Sequence, residues 1–164
     1  MKKIMVACLF SVFNLALFAQ VDENEYHKFL EETIKRSELY IDADTLRELK
    51  DVVILDTREK QEFDVSHIKN AKNVGYLWFD MRNLYDVPKS SKIVLYCTVG
   101  NRSEKIAEKL KKAGYKNIHV LYGGMIEWVN RNKPIYRKDG VQTTEIHTFN
   151  EKWSHFVNRG AITY

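Results

Sequence analysis

One stretch of the chain combines residue types able to do covalent chemistry: Tyr96-Cys97-Thr98-Val99-Gly100-Asn101-Arg102-Ser103. The apolar run Lys92-Ile93-Val94-Leu95 leads into it. Ile106, Ala107, Leu110 and Ala113 follow at helical spacing. This pattern predicts that Cys97 stands at the exit of a buried strand, on a short turn entering a helix. The first N–H groups of a helix lack internal partners and carry positive partial charge. A loop of this kind can wrap an anion or a thiolate in donors. Arg102 adds a permanent charge with a planar fork, and Gly100 permits unusual backbone angles. The residues therefore suit a nucleophilic thiolate and an anionic partner, with several anion chemistries open. An inert buried cysteine is the bland reading. The polar Gly-Asn-Arg-Ser run argues against it, because burying an arginine there is costly.

The elements that must position this loop follow from periodicity. Val52-Val53-Ile54-Leu55 reads as a strand buried on both faces. Ile93 to Tyr96 is a second, Asn117 to Leu121 a third, and Lys72-Asn73-Val74 a short one. Helical spacing is expected from Asp22 to Ser37, from about Ser103 to Lys112, and from Met125 to Asn130. Asp42 or Asp44 caps a short helix at residues 45–49, and Leu77 to Leu84 is read as a helix with Leu77, Met81 and Leu84 on one side. Gly114 and Pro134 close helices. Strands alternating with helices predict an α/β fold with a central, mostly parallel sheet and helices on both faces. Ligands of such sheets bind at the carboxyl ends of the strands. Cys97 and Asp56 both fall there.

Composition narrows the function classes. With 164 residues and 45% apolar content, the chain predicts one ordinary domain with a real core. Its net charge of +4 comes from interleaved acids and bases, so no nucleic-acid footprint is expected. Lys2-Lys3, the apolar run Ile4 to Phe18 and Ala19-Gln20 have the three-part form of a secretory leader. Export to the periplasm with cleavage near Ala19 or Gln20 is expected, with a retained membrane anchor as the rival. Cleavage removes Cys8 and leaves Cys97 as the sole thiol, with no internal disulfide partner.

Beyond the loop, further motifs occur in a characteristic order. Asp56-Thr57-Arg58-Glu59, Glu62-Phe63, His67-Ile68 and Ala71 resemble the first signature of rhodanese-like domains. Cys97 to Arg102 resembles their active-site loop. Lys112-Ala113-Gly114-Tyr115, Leu121-Tyr122-Gly123-Gly124, Trp128 and Pro134 resemble their C-terminal signature. Two departures stand out: Ser66 where the family usually has glycine, and Lys69-Asn70 where it usually has Pro-Gly. The resemblance divides the chain into a leader (1–19), a helical extension (20–40), a rhodanese-like domain (41–136) and a C-terminal extension (137–164). Phe149, Trp153, Phe156 and Val157 in that extension fall at helical spacing, which predicts an appended helix or a clamp on the core.

The resemblance implies a thiosulfate sulfurtransferase. Cys97 is then the nucleophile that takes sulfur from a small anionic donor and passes it, as a persulfide, to a thiophilic acceptor such as cyanide or a protein thiol. Arg102 holds the sulfonate-like end, and the N–H groups of Thr98, Val99, Gly100, Asn101 and Ser103 stabilise negative sulfur. Asp56 and Arg58 are read as a charged pair that pins the strand-end loops together or caps the following turn, and His67 as a satisfied turn histidine. No cofactor and no metal are expected, and the protein is expected to act as a monomer. Four residues separate Cys97 from Arg102. Cysteine phosphatases need one more to hold a phosphate, which places phosphate chemistry behind sulfur transfer. A non-catalytic binding module and a single-thiol redox or detoxification protein also fit these residues.

Overall fold

The computed structural model describes residues 23–35 and 37–164. The expected leader, its cleavage site and Cys8 lie outside the described residues. The centre is a sheet of five parallel strands: β1 (Tyr40–Ile41), β2 (Val52–Asp56), β3 (Lys72–Asn73), β4 (Lys92–Tyr96) and β5 (Asn117–Leu121), ordered β1-β5-β4-β2-β3. Around it are α1 (Glu23–Thr33), α2 (Ala43–Glu48), α3 (Lys60–Val65), α4 (Asn101–Lys112) and α5 (Gly124–Asn130). The tail adds the antiparallel pair β6 (Ile135–Tyr136) and β7 (Gln142–Thr143), then the parallel pair β8 (Glu145–His147) and β9 (Ala161–Thr163), with one helical turn, α6 (Glu151–Ser154), between the last two.

The strand carrying the cysteine is the best buried. Ile93, Val94, Leu95 and Tyr96 are wholly inaccessible, because β4 is flanked by β5 and β2. Each such apolar side chain contributes about 1.5–3 kcal/mol. Neighbouring β2 departs from the expected double burial: Val52, Val53 and Ile54 are only half-buried. The reason is the brevity of β3, which pairs with Leu55 and Asp56 alone. The expected helix over residues 77–84 shortens to a 3-10 turn at Met81–Leu84, and Leu77 and Trp78 are 73% and 87% exposed rather than packed at the core's edge.

Helix α4 presents Ile106, Ala107 and Leu110 to the core, and α1 presents Tyr26, Leu30 and Ile34. Asp42 caps α2, accepting from the Thr45 N–H at 2.7 Å. The residues that depart from the family's usual turn are accommodated simply. Ser66 is in extended backbone that any residue adopts, and Asn70 takes a left-handed conformation (φ 62°) that asparagine tolerates.

The tail does not form the long helix its spacing suggests. Phe156 instead stacks on Phe29 of α1 at 4.6 Å, and Trp153 meets Phe29 edge-on at 5.8 Å. Asn130 at the end of α5 donates to the Phe156 carbonyl and accepts from the Asn158 N–H, both at 2.8 Å. The two terminal extensions thus pack together, and they do so near the carboxyl edge of the sheet.

Candidate active site

Cys97 follows the last residue of β4, and Gly100 is the N-cap of α4. Gly100 has φ 129°, a conformation side chains avoid, and an added Cβ there would stand 3.0 Å from Ile34 of α1. The turn aims the Gly100 N–H at the cysteine, 3.1 Å from Sγ. Among the described residues this is the donor placed on the sulfur.

A second element shapes the loop from below. Gly123 and Gly124 both take positive φ (68° and 55°), which brings the start of α5 against the backbone of Cys97. Met125 N–H donates to the Cys97 carbonyl at 2.8 Å, and Ile126 N–H to the Thr98 carbonyl at 3.2 Å. A Cβ on Gly124 would lie 2.4 Å from the Cys97 oxygen. Only glycine allows so close an approach. The loop's carbonyls are thereby satisfied on the α5 side.

Arg102 is not free in the pocket. Its two terminal nitrogens meet the two oxygens of Glu62 at 2.6 and 2.8 Å, a bidentate pair. Arg102 also donates to Thr98 Oγ1 at 2.9 Å, and that hydroxyl donates to Glu62 at 3.2 Å. Burial opposes ionisation of Glu62, but the hydrogen bonds and charge of Arg102 outweigh it and hold its carboxyl below the usual range. Burial likewise disfavours the Arg102 cation, and the hydrogen bond to Glu62 and the cysteine's charge more than compensate, raising its pKa. Glu62 also accepts from the Glu59 N–H in a capping box that starts α3. The helix cap and the guanidinium clamp are one side chain.

The remaining expected residues divide in two groups. Thr98, Val99, Asn101 and Arg102 line the space beside Cys97. Ser103 does not: its hydroxyl is 2.9 Å from that of Thr57, which donates to the Tyr96 carbonyl at 3.2 Å, tying α4 to the exits of β2 and β4. Asp56 and Arg58 form a fully buried pair at 2.7 Å, and Arg58 also donates to the Ser66 carbonyl at 2.6 Å. Neither lines the cysteine pocket. His67 stacks on Phe63 at 3.9 Å, with Nδ1 3.0 Å from the Phe63 carbonyl.

The pocket's upper wall comes from the tail. Phe149 and Trp153 line it, and the Phe149 ring lies over the Arg102 guanidinium at 5.0 Å. Phe149 has φ 72°, which costs a non-glycine residue about 1–3 kcal/mol. Its N–H donates to Nδ1 of His147 at 3.0 Å. The space beside the sulfur is a half-open cleft of about 30 Å³, room for about two water-sized groups, and Cys97 is only 2% exposed. A larger cavity, about 290 Å³, lies between the end of α5 and the tail and shares no lining residue with it. Sequence reasoning missed Glu62 as the partner of Arg102, and Phe149 as a pocket wall. The glutamate's place in the first signature was the available signal for the former. No local pattern marks the latter.

A family model for rhodanese-like domains matches residues 42–131. Similar curated proteins include a tRNA uridine(34) hydroxylase from Aster yellows witches'-broom phytoplasma, 39% identical over 89 residues, covering 48% of this chain and 27% of that one. Another is the adenylyltransferase and sulfurtransferase uba4 of Ogataea parapolymorpha, 31% identical over 86 residues, covering 51% of this chain and 22% of that one. A solved rhodanese-related protein from Thermoplasma volcanium aligns with a TM-score of 0.52 at 30% identity, over 58% of this chain and 95% of that one. The chain spans about a quarter of the length of these two curated relatives. The family match contains the whole Cys97 loop, Glu62 and the Gly123-Gly124 turn, and leaves out α1 and the tail. By its motifs, its parallel sheet and this match over more than half its length, the chain belongs to the rhodanese-like family.

Proposed function

We propose that the protein is a sulfurtransferase that carries one sulfane sulfur on Cys97. The observation that carries this reading is the Gly100 N–H on Cys97 Sγ, in a tight loop between the end of β4 and α4. In the first half-reaction the Cys97 thiolate attacks the outer sulfur of an anionic donor such as thiosulfate. The S–S bond of the donor breaks, sulfite leaves with the electron pair, and a Cys97 persulfide anion remains. In the second, a thiophilic acceptor attacks the outer persulfide sulfur and the Cys97 thiolate is restored. No net oxidation occurs and neither step needs a cofactor. The Gly100 N–H is placed to stabilise negative sulfur in both states. The donor is small, the acceptor is cyanide or a thiol, and the leader directs export to the periplasm.

The test is intact-mass analysis after incubation with excess thiosulfate or with inorganic polysulfide. Gain of one sulfur atom on Cys97, absent in Cys97→Ser, is expected. Absence of that gain from both donors in folded protein overturns the reading. The name carried by the phytoplasma relative favours a second reading, in which the domain serves oxidation of a tRNA uridine. Hydroxylated uridine in tRNA after incubation with the protein and dissolved dioxygen as the oxidant and oxygen source, without persulfide on Cys97, would select it instead.

A further inference from the structure

We infer that Phe149 and Trp153 are specificity-determining residues that favour a slender, oxygen-free sulfur donor, such as an inorganic polysulfide, over thiosulfate. The inference rests on the sulfur-transfer reading and concerns which donor reaches Cys97. Two independent observations lead to it. The first is size. With the two aromatic rings in place, the cleft beside the sulfur offers only about 30 Å³, about two water-sized groups, which favours a slender chain of bare sulfur over the wider sulfonate head of thiosulfate. The second is charge. A sulfonate needs a free cationic fork, and the fork of Arg102 is spent on Glu62 and Thr98 and covered by the Phe149 ring. Arg102 and Glu62 cancel, so the pocket offers a doubly charged donor no net attraction. A terminal sulfur of a polysulfide needs neither oxygen contacts nor that fork.

The roof is built into the fold. Trp153 is braced edge-on by Phe29 of α1. Phe149 is fixed by its N–H to His147 and by its ring on Arg102. All of α1, Phe149 and Trp153 lie outside the residues that the family model matches. The chemistry balances without another reagent. The Cys97 thiolate attacks the terminal sulfur of a hydrodisulfide anion, the donor's S–S bond breaks, hydrosulfide leaves with the electron pair, and Cys97 becomes a persulfide.

The experiment compares rates of persulfide formation from thiosulfate and from inorganic polysulfide in the full chain, by intact mass. The wild type is expected to favour polysulfide. Phe149→Gly removes the ring and accepts the left-handed backbone, and it is expected to raise the thiosulfate-to-polysulfide rate ratio about tenfold or more. Phe149→Ala removes the ring alone and is expected to do the same. In parallel, alkylation of Cys97 by the anionic reagent iodoacetate is expected to accelerate in both variants, a readout that does not require sulfur transfer. An unchanged ratio with unchanged alkylation in both variants overturns the roof. Accelerated alkylation with no persulfide from either donor in any form overturns the transfer reading, and the donor preference with it.

Discussion

Replacing Glu62 with glutamine makes two properties move in opposite directions. The Glu62–Arg102 pair has contacts of 2.6 and 2.8 Å, and the two side chains are 4% and 16% exposed. Removing one partner of a buried pair costs about 3–5 kcal/mol. Glutamine keeps one acceptor for the guanidinium and Arg102 retains some water, so the low end applies, about 3 kcal/mol. For a chain of this size that lowers Tm by about 6–12 °C. The same change uncovers one positive charge beside Cys97. At about 6 Å and an effective dielectric of about 40, a unit charge attracts each unit of donor charge by about 1.4 kcal/mol, a factor of about ten. Thiosulfate carries two such charges and should therefore bind up to about a hundredfold tighter to Glu62→Gln, while the protein melts earlier. The assays are a thermal melt and the concentration dependence of persulfide formation. Stability within about 1 kcal/mol of wild type would refute the buried clamp. An unchanged or weaker thiosulfate dependence in folded protein would refute the claim that Glu62 masks Arg102.

Three further outcomes follow. Glu62 has a depressed folded pKa, so its contribution is complete above the unfolded value of about 4.3 and disappears as pH falls through the lower folded value; below about pH 4.3 the wild-type melting curve should fall more steeply than that of Glu62→Gln. His147 is pushed down, first by burial, with Arg58 and Arg102 adding to this and Glu62 opposing. The neutral ring is thus preferred in the folded state, and stability should drop as pH falls below about 6.5, with loss of the Phe149 N–H bond to Nδ1; His147→Gln should flatten that part of the pH–Tm profile relative to wild type. Gly124→Ala would place a Cβ 2.4 Å from the Cys97 carbonyl in a backbone with φ 55°, and should cost more than about 3 kcal/mol and reduce persulfide formation at least about tenfold, measured by denaturant unfolding and intact mass.

Much of this protein is written in short-range patterns. The apolar run before Cys97 and the helical spacing after it are local signals, and they place the thiol at a strand-to-helix turn. Gly100, Gly123 and Gly124 mark backbone that only glycine enters readily, as their φ values of 129°, 68° and 55° bear out. The alternation of strands and helices gives the parallel sheet, because period and length are properties of each segment. The misreadings arise where neighbours decide. Helical spacing at residues 77–84 cannot reveal that Leu77 and Trp78 face solvent, and a β-branched run at 52–54 cannot reveal that β3 is too short to cover it.

By itself, then, the sequence determined the family, the sheet and the presence of a nucleophile in an N–H-bearing loop. Tertiary structure alone decided the state of that nucleophile. Arg102 and Glu62 are forty residues apart, and nothing in their spacing tells a free guanidinium from a masked one; the distance closes only because α3 and α4 start at adjacent strand ends. Phe149 and Trp153 are further still along the chain, in a tail whose pattern suggested a helix. Their place over Cys97 depends on the meeting of α1 with the tail, which is set by aromatic packing between the two ends of the chain rather than by any local preference.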